Sequence, residues 1–98
     1  MEQYNKIIYF FDSYYLMLDY NQTLNQIVNE FIENETEETT NEIISQMDKA
    51  LNDIELQEKT LSEIITNCIE MNTTPEQMFE MIKEIYYEFK SKIKIIEG

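Results

Sequence analysis

The chain has 98 residues and carries 20 acidic residues against seven lysines, so that its formal net charge is -13; it contains no arginine and no histidine. Histidine is the usual general base and metal ligand, and arginine is the usual clamp for phosphate groups. The composition therefore argues against acid–base, nucleophilic and phosphoryl-transfer enzymes, and it favours binding to a positively charged partner.

The first predicted helix covers residues 3–18. Its apolar positions recur at spacings of three and four, and they are Tyr4, Ile7, Ile8, Phe11, Tyr15 and Leu18. Seven of the first twenty residues are aromatic, which is more than one helix face can hold. Tyr14 and Tyr20 therefore fit the core and a contact surface equally well, whereas Tyr15 is expected in the core.

The second and third helices have clear start signals. Thr23 and Gln26 predict a capping box, in which two side chains bind otherwise unpaired backbone amides. Asn34 is expected to end the second helix in the left-handed conformation, and Thr36 is expected to cap the third. The inward residues should be Leu24, Ile27, Val28, Phe31 and Ile32 in the second helix and Ile43, Ile44, Met47 and Leu51 in the third.

The fourth and fifth helices are predicted in the same way. Asn52 and Glu55 suggest a capping box at the start of a fourth helix, and Asn72 is expected to end it. The buried residues of this helix should be Leu56, Leu61, Ile64, Ile65, Cys68 and Ile69. Thr74, Pro75 and Gln77 give the strongest start signal of the chain. The fifth helix should then bury Met78, Ile82, Ile85, Phe89, Ile93 and Ile96 and expose a row of glutamates.

The predicted fold is all-α, a compact antiparallel bundle of about five helices. Residues 1–98 are expected to form a single domain, because this length and 43% hydrophobic residues suit one core. One glycine and one proline supply too little turn chemistry for a many-stranded sheet. No secretion signal and no apolar stretch of about 18 residues is recognised, so we expect a cytoplasmic protein that does not enter a membrane.

Candidate catalytic and metal-binding groups are weak. The serines have no histidine as a base, and Cys68 falls on an apolar stripe, where a buried structural thiol is expected. The chain lacks both the Glu-x-x-His motif of di-iron bundles and an aspartate-rich calcium loop. We therefore predict no enzyme activity, no catalytic residue, no metal and no cofactor, and carboxylate-only chemistry stays a remote alternative. The small group Lys90, Lys92 and Lys94 suits a helix C-terminus better than nucleic acid.

The densest negative charge lies between Glu30 and Glu42, where six glutamates occur without a lysine. A solvated surface and a contact with a cationic partner both fit this pattern. The total charge exceeds the roughly 2 to 8 units that solubility requires, which favours the contact. The predicted partner-binding residues are Asp12, Asp19, Tyr20, Glu33, Glu35, Glu37, Glu38 and Glu42.

The chain resembles the small helical immunity proteins of contact-dependent growth inhibition systems. Tyr15, Asp19 and Tyr20 match part of the aromatic–acid–aromatic signature of one such family, although Met17 and Leu18 replace its usual histidine and glutamine. Helical segments at 24–31, 39–51, 61–69 and 75–89 follow in the family's order.

The resemblance implies a function and a partner. It describes a bacterial cytosolic protein that binds and neutralises the C-terminal toxin domain of a cognate effector, often a basic nuclease, without binding nucleic acid itself. The alternative is a helical adaptor or regulator that pairs with itself or with a partner helix, in which the exposed aromatic residues of the first segment form the homodimer.

Overall fold

The protein is described by a computed structural model that covers residues 2–15, 23–53, 55, 57–68 and 73–97. Within these ranges it is all-helical, and the predicted number of five α-helices is confirmed there. The helices are α1 (Asn5–Phe10), α2 (Leu24–Asn34), α3 (Glu37–Asn52), α4 (Gln57–Asn67) and α5 (Pro75–Glu97).

The first predicted helix differs from the expected continuous α-helix. A 3-10 turn, Glu2–Tyr4, precedes α1, and a π-helical segment, Phe11–Tyr15, follows it directly. A π-helix forms its hydrogen bonds between residues five apart, so its turn is wider than that of an α-helix. The predicted α-helical conformation is therefore wrong after Phe10, although Phe11 is buried and Tyr15 packs against the core as expected. Leu18 lies outside the described residues.

The core is centred on α5, which contacts α2, α3 and α4. Every helix contributes fully buried side chains, and those among the described side chains of α5 are Met78, Ile82, Ile85 and Phe89. Phe10, Phe31 and Phe89 form an aromatic centre with ring centroids 5.5–5.8 Å apart. Edge-on rings at such distances attract one another in addition to the hydrophobic gain of burial.

Local capping accounts for three helix starts. The Thr23 hydroxyl accepts from the Gln26 N–H at 3.3 Å, and the Gln26 side chain accepts from the Thr23 N–H at 3.0 Å. Thr74 and Gln77 form the same reciprocal pair at 3.2 and 3.3 Å. The Thr36 hydroxyl accepts from the Thr39 N–H at 3.1 Å. The two capping boxes and the Thr36 cap are confirmed.

The junction between α3 and α4 is built differently from the prediction. Asn52 is the last residue of α3, and its side chain donates to the Asp48 carbonyl oxygen at 2.7 Å, so its assignment as the cap of the next helix is wrong. Gln57, at the start of α4, donates through Nε2 to the Leu51 carbonyl oxygen at 3.0 Å. This bond satisfies a carbonyl that the end of α3 leaves without a helical partner. The expected end of α4 at Asn72 lies outside the described residues.

The N-terminus of α1 is capped from a distant helix. Tyr4, which precedes α1, makes no side-chain cap. Instead, Gln46 of α3 accepts from the N–H groups of Lys6 at 2.9 Å and Ile7 at 3.3 Å through Oε1. Its Nε2 donates to Asn5 Oδ1 at 2.8 Å. One glutamine therefore satisfies two orphan amides of α1 and fixes α1 against α3.

Candidate functional site

The wide π turn brings two tyrosine side chains together. In an α-helix, side chains five residues apart point about 140° away from each other. Here Tyr9 and Tyr14 lie side by side, with ring centroids 6.0 Å apart in an edge-on arrangement. Both hydroxyls donate to Oε2 of Glu35, from Tyr9 at 2.8 Å and from Tyr14 at 2.6 Å. We call these three residues the tyrosine–glutamate cluster.

Glu35 occupies the junction between α2 and α3. Its backbone is extended, with φ -100° and ψ 165°, and its N–H donates to the Phe31 carbonyl oxygen. Asn34 is the last residue of α2, as predicted, but the predicted left-handed ending is wrong, since no non-glycine residue of the described ranges has a positive φ. The chain instead leaves α2 through the extended Glu35, whose side chain the two tyrosines hold.

The surroundings of the cluster raise the pKa of both tyrosines. Burial raises the pKa of Tyr14, and the hydrogen bond and the charge of Glu35 raise it further. For Tyr9 the hydrogen bond to Glu35 is the largest cause of a raised pKa, followed by burial. The Tyr14 ring also stacks on Phe10 and lies 5.1 Å from the Phe31 ring, which anchors the cluster to the core.

The acidic segment, residues 30–42, surrounds this junction. Glu30, Glu33, Glu37 and Glu38 are exposed, whereas Glu35 and Glu42 are half-buried. Glu42 Oε2 lies 3.8 Å from Lys6 Nζ of α1. Glu37 and Glu38 occupy the first turn of α3, where the helix dipole stabilises negative charge. The structure therefore presents four carboxylates to solvent at the α2–α3 end and uses Glu35 and Glu42 to hold α1.

The remaining predicted contact residues are only partly placed. Asp12 lies half-buried on the π segment. Burial raises the pKa of Cys68, at the end of α4, to about 11, and the negative charge of Asp12 contributes to this increase. Asp19 and Tyr20 lie outside the described residues. Tyr15 is half-buried against the core, as expected, and its hydroxyl donates to Met81 Sδ at 3.5 Å.

The described residues of this site offer hydrogen-bonding and charged groups. Cys68 is buried and its raised pKa disfavours the thiolate, so it does not have the properties of a nucleophile. Among the described side chains, no group of three acidic or cysteine residues has a geometry suited to a metal ion. The cluster offers a carboxylate, two hydroxyls and the ring of Tyr9, which is 40% exposed. A cationic side chain is the natural ligand for such a set.

Sequence reasoning missed the tyrosine–glutamate cluster. The surplus of aromatic residues near the N-terminus pointed to a contact, but the pairing of Tyr9 with Tyr14 depends on the π turn.

In the described part of the chain, no helix has both the length and the apolar character needed to cross a membrane. Comparisons with protein-family models, curated proteins and solved structures find no match to this chain.

Proposed function

We propose that this protein is a non-enzymatic immunity protein that binds and neutralises the basic toxin domain of a contact-dependent growth inhibition system. The observation that carries the proposal is the acidic segment, which exposes Glu30, Glu33, Glu37 and Glu38 around one helix junction. The net charge of -13 supports it, as does the resemblance in the order of aromatic and amphipathic segments. A cytoplasmic location and an antiparallel arrangement of the helices belong to this proposal.

A solvated surface explains the acidic segment less well than a partner does. Like charges held close together repel one another and reduce stability. Two of the six glutamates have partners within the protein. Glu35 accepts hydrogen bonds from Tyr9 and Tyr14, and Glu42 forms an ion pair with Lys6. Of the four exposed glutamates, Glu37 and Glu38 gain from the dipole of α3, whereas Glu33 lies in the last turn of α2, where the dipole disfavours negative charge. A positively charged partner would stabilise it there.

The proposed mechanism combines attraction and orientation. Long-range attraction between the acidic segment and a basic toxin domain would speed association, and close pairs would fix the register of the complex. The proposed contacts are Asp12, Asp19, Tyr20, Glu33, Glu35, Glu37, Glu38 and Glu42. If the toxin is a nuclease, the carboxylates among these contacts would occupy its substrate groove in place of phosphates.

The direct test is protection from a toxin. The C-terminal domain of a large effector encoded next to this protein would be expressed in a bacterial host, with and without this protein. We expect growth to be restored only when both are present and the two to copurify. Continued killing at matched expression levels would refute the proposal.

A finer test reverses charge where the fold tolerates it. Glu30→Lys with Glu33→Lys changes the acidic segment but spares Glu35, and lysines there complement the dipole at the end of α2. Glu63→Lys with Glu84→Lys is the matched control, because both residues are exposed and lie outside the segment. We expect association with the toxin domain at low ionic strength to slow at least about tenfold for the first pair only.

One observation favours the alternative of self-association. Tyr87 of α5 is 60% exposed, and its ring lies 5.8 Å from that of Tyr86. Tyr86 is half-buried against the core, so of the two rings Tyr87 is the one that suits a contact between two copies or with a partner helix. Light scattering over a range of concentrations tests this, and a dimer that is lost in Tyr87→Ser would replace the first proposal.

A further inference from the structure

A groove of about 700 Å³ runs between α4 and the first turns of α5. Its lining includes Glu58 and Leu61 from α4, and Pro75, Glu76, Phe79 and Glu80 from α5. The volume falls within the range of roughly 300 to 1,000 Å³ that is typical of ligand and side-chain pockets. The groove is separate from the tyrosine–glutamate cluster and is not explained by it.

The floor of the groove is apolar. Leu61 is 3% exposed, and Pro75 and Phe79 are half-buried. Pro75 and Phe79 are four residues apart on α5 and therefore lie on one face of that helix. A floor of this kind binds an aliphatic side chain or stem by removing apolar surface from water.

The rim of the groove is negatively charged. Glu58, Glu76 and Glu80 are all exposed, and Glu76 and Glu80 are an i, i+4 pair of like charge, which disfavours the free helix. The described residues include no compact acidic group that could hold a single metal ion. The three exposed carboxylates of the rim attract positive charges and repel phosphate groups and acidic lipids.

The groove and the acidic segment lie near opposite ends of α3. Gln57, which also lines the groove, bonds the Leu51 carbonyl oxygen near the C-terminus of α3. Glu37 and Glu38 form the first turn of the same helix. Leu51 lies 14 positions after Glu37, which corresponds to about 21 Å of helix, so a single short contact would not cover both surfaces.

We propose that this groove is a second docking surface, which takes a cationic amphipathic segment of the partner protein. One aliphatic side chain of that segment packs on Leu61 and Phe79, and flanking lysines or arginines pair with the three rim glutamates. The inference rests on the proposed function for the positive charge of the partner, but its test uses no toxin.

The probe is the synthetic peptide acetyl-Lys-Leu-Arg-Leu-Lys-amide, titrated into the labelled protein while backbone amide shifts are recorded by NMR. Measurements at physiological ionic strength screen charges more than about 8 Å away. We expect saturable shifts concentrated at residues 57–61 and 75–80. A control peptide with serine in place of both leucines should bind at least about fivefold more weakly, since it lacks the apolar contact.

Matched protein variants separate the groove from general charge. Glu76→Gln with Glu80→Gln should reduce the affinity for the peptide about fourfold or more. Glu63→Gln with Glu84→Gln removes the same charge from exposed positions that neither line the groove nor belong to the acidic segment, and it should change affinity less than about twofold. Shifts spread over the whole acidic surface, equal binding of the serine peptide, or equal effects of the two variant pairs would each overturn the inference.

The two proposals fail separately. Loss of toxin protection with intact peptide binding at the groove would refute the proposed function and leave a groove for cationic peptides. Toxin protection without any localised peptide binding would leave the proposed function in place and remove the groove from it.

Discussion

The Tyr14 hydroxyl lies 2.6 Å from Glu35 Oε2, and this bond ties the segment that follows α1 to the junction between α2 and α3. A hydrogen bond to a carboxylate is stronger than one between neutral groups. The Tyr9 hydroxyl donates to the same oxygen at 2.8 Å. Glu35 is thus a structural residue as well as a proposed contact, and charge reversal at Glu35 would disturb the fold before it tested binding.

Replacing Tyr14 by phenylalanine should destabilise the protein. Tyr14→Phe removes the hydroxyl and leaves the ring contacts in place, so we expect the free energy of unfolding to fall by about 1–2 kcal/mol. Urea denaturation gives this value. The control is Tyr87→Phe, whose ring is 60% exposed and which should change stability by less than about 0.5 kcal/mol. Equal losses for the two variants would contradict a special role for the Tyr14 bond.

Stability should fall in alkaline solution. The pKa of Tyr14 is raised above its ordinary value of 10.0, so the unfolded chain releases this proton at a lower pH than the native protein does. The contribution of protonated Tyr14 to the free energy of unfolding is complete below pH 10, and it is lost as the pH rises toward the pKa of Tyr14 in the native protein. Urea denaturation at a series of pH values should show this decline above pH 10, and Tyr14→Phe should make it shallower. Parallel curves for the two proteins would rule out Tyr14 as a source.

The Cys68 thiol should be unreactive in the native protein. It is 6% exposed, and its pKa is raised from 9.0 to about 11. Two pKa units lower the thiolate fraction at pH 8 about hundredfold, and burial slows reaction further. Alkylation by iodoacetamide should therefore be at least about hundredfold slower in buffer than in concentrated urea. A native rate similar to that of the unfolded chain would mean that the end of α4 is open.

Removing the distant cap should loosen α1. Gln46→Ala removes the acceptor of the Lys6 and Ile7 amides, and we expect a loss of about 1–2 kcal/mol in the free energy of unfolding. Hydrogen exchange should accelerate most at those two amides. Ser45→Ala, at the exposed neighbouring position, is the control and should leave both measurements nearly unchanged. Unaltered exchange in Gln46→Ala would show that this side chain does not cap α1.

The sequence predicted those features that depend on near neighbours. The boxes at Thr23 and Thr74 close over three residues, so the required partners can be read directly from the chain. The Gln46 cap joins positions 40 residues apart, and the Tyr9 bond to Glu35 joins positions 26 apart. Such pairs form only when packing brings the segments together, and many other glutamines and glutamates fit the same pattern.

The sequence therefore predicted where the negative charge of the candidate site lies, but not which side-chain contacts hold the site together. The density of glutamates between residues 30 and 42 located the acidic segment, and its exposed members are Glu30, Glu33, Glu37 and Glu38. Which glutamates serve the fold depends on the π turn after Phe10, for which helical periodicity gives no signal. The same limit applies to the groove, since it is formed by two helices that only tertiary packing brings together.

The π turn also bears on how strongly a partner can bind. By placing both tyrosines on Glu35, it sets the backbone conformation of the α2–α3 junction in the free protein. Preorganised surfaces lose less conformational entropy on association than loops that must first be ordered. A partner that binds at the four exposed glutamates would therefore lose less entropy in ordering this junction, and a larger share of each contact would appear as affinity.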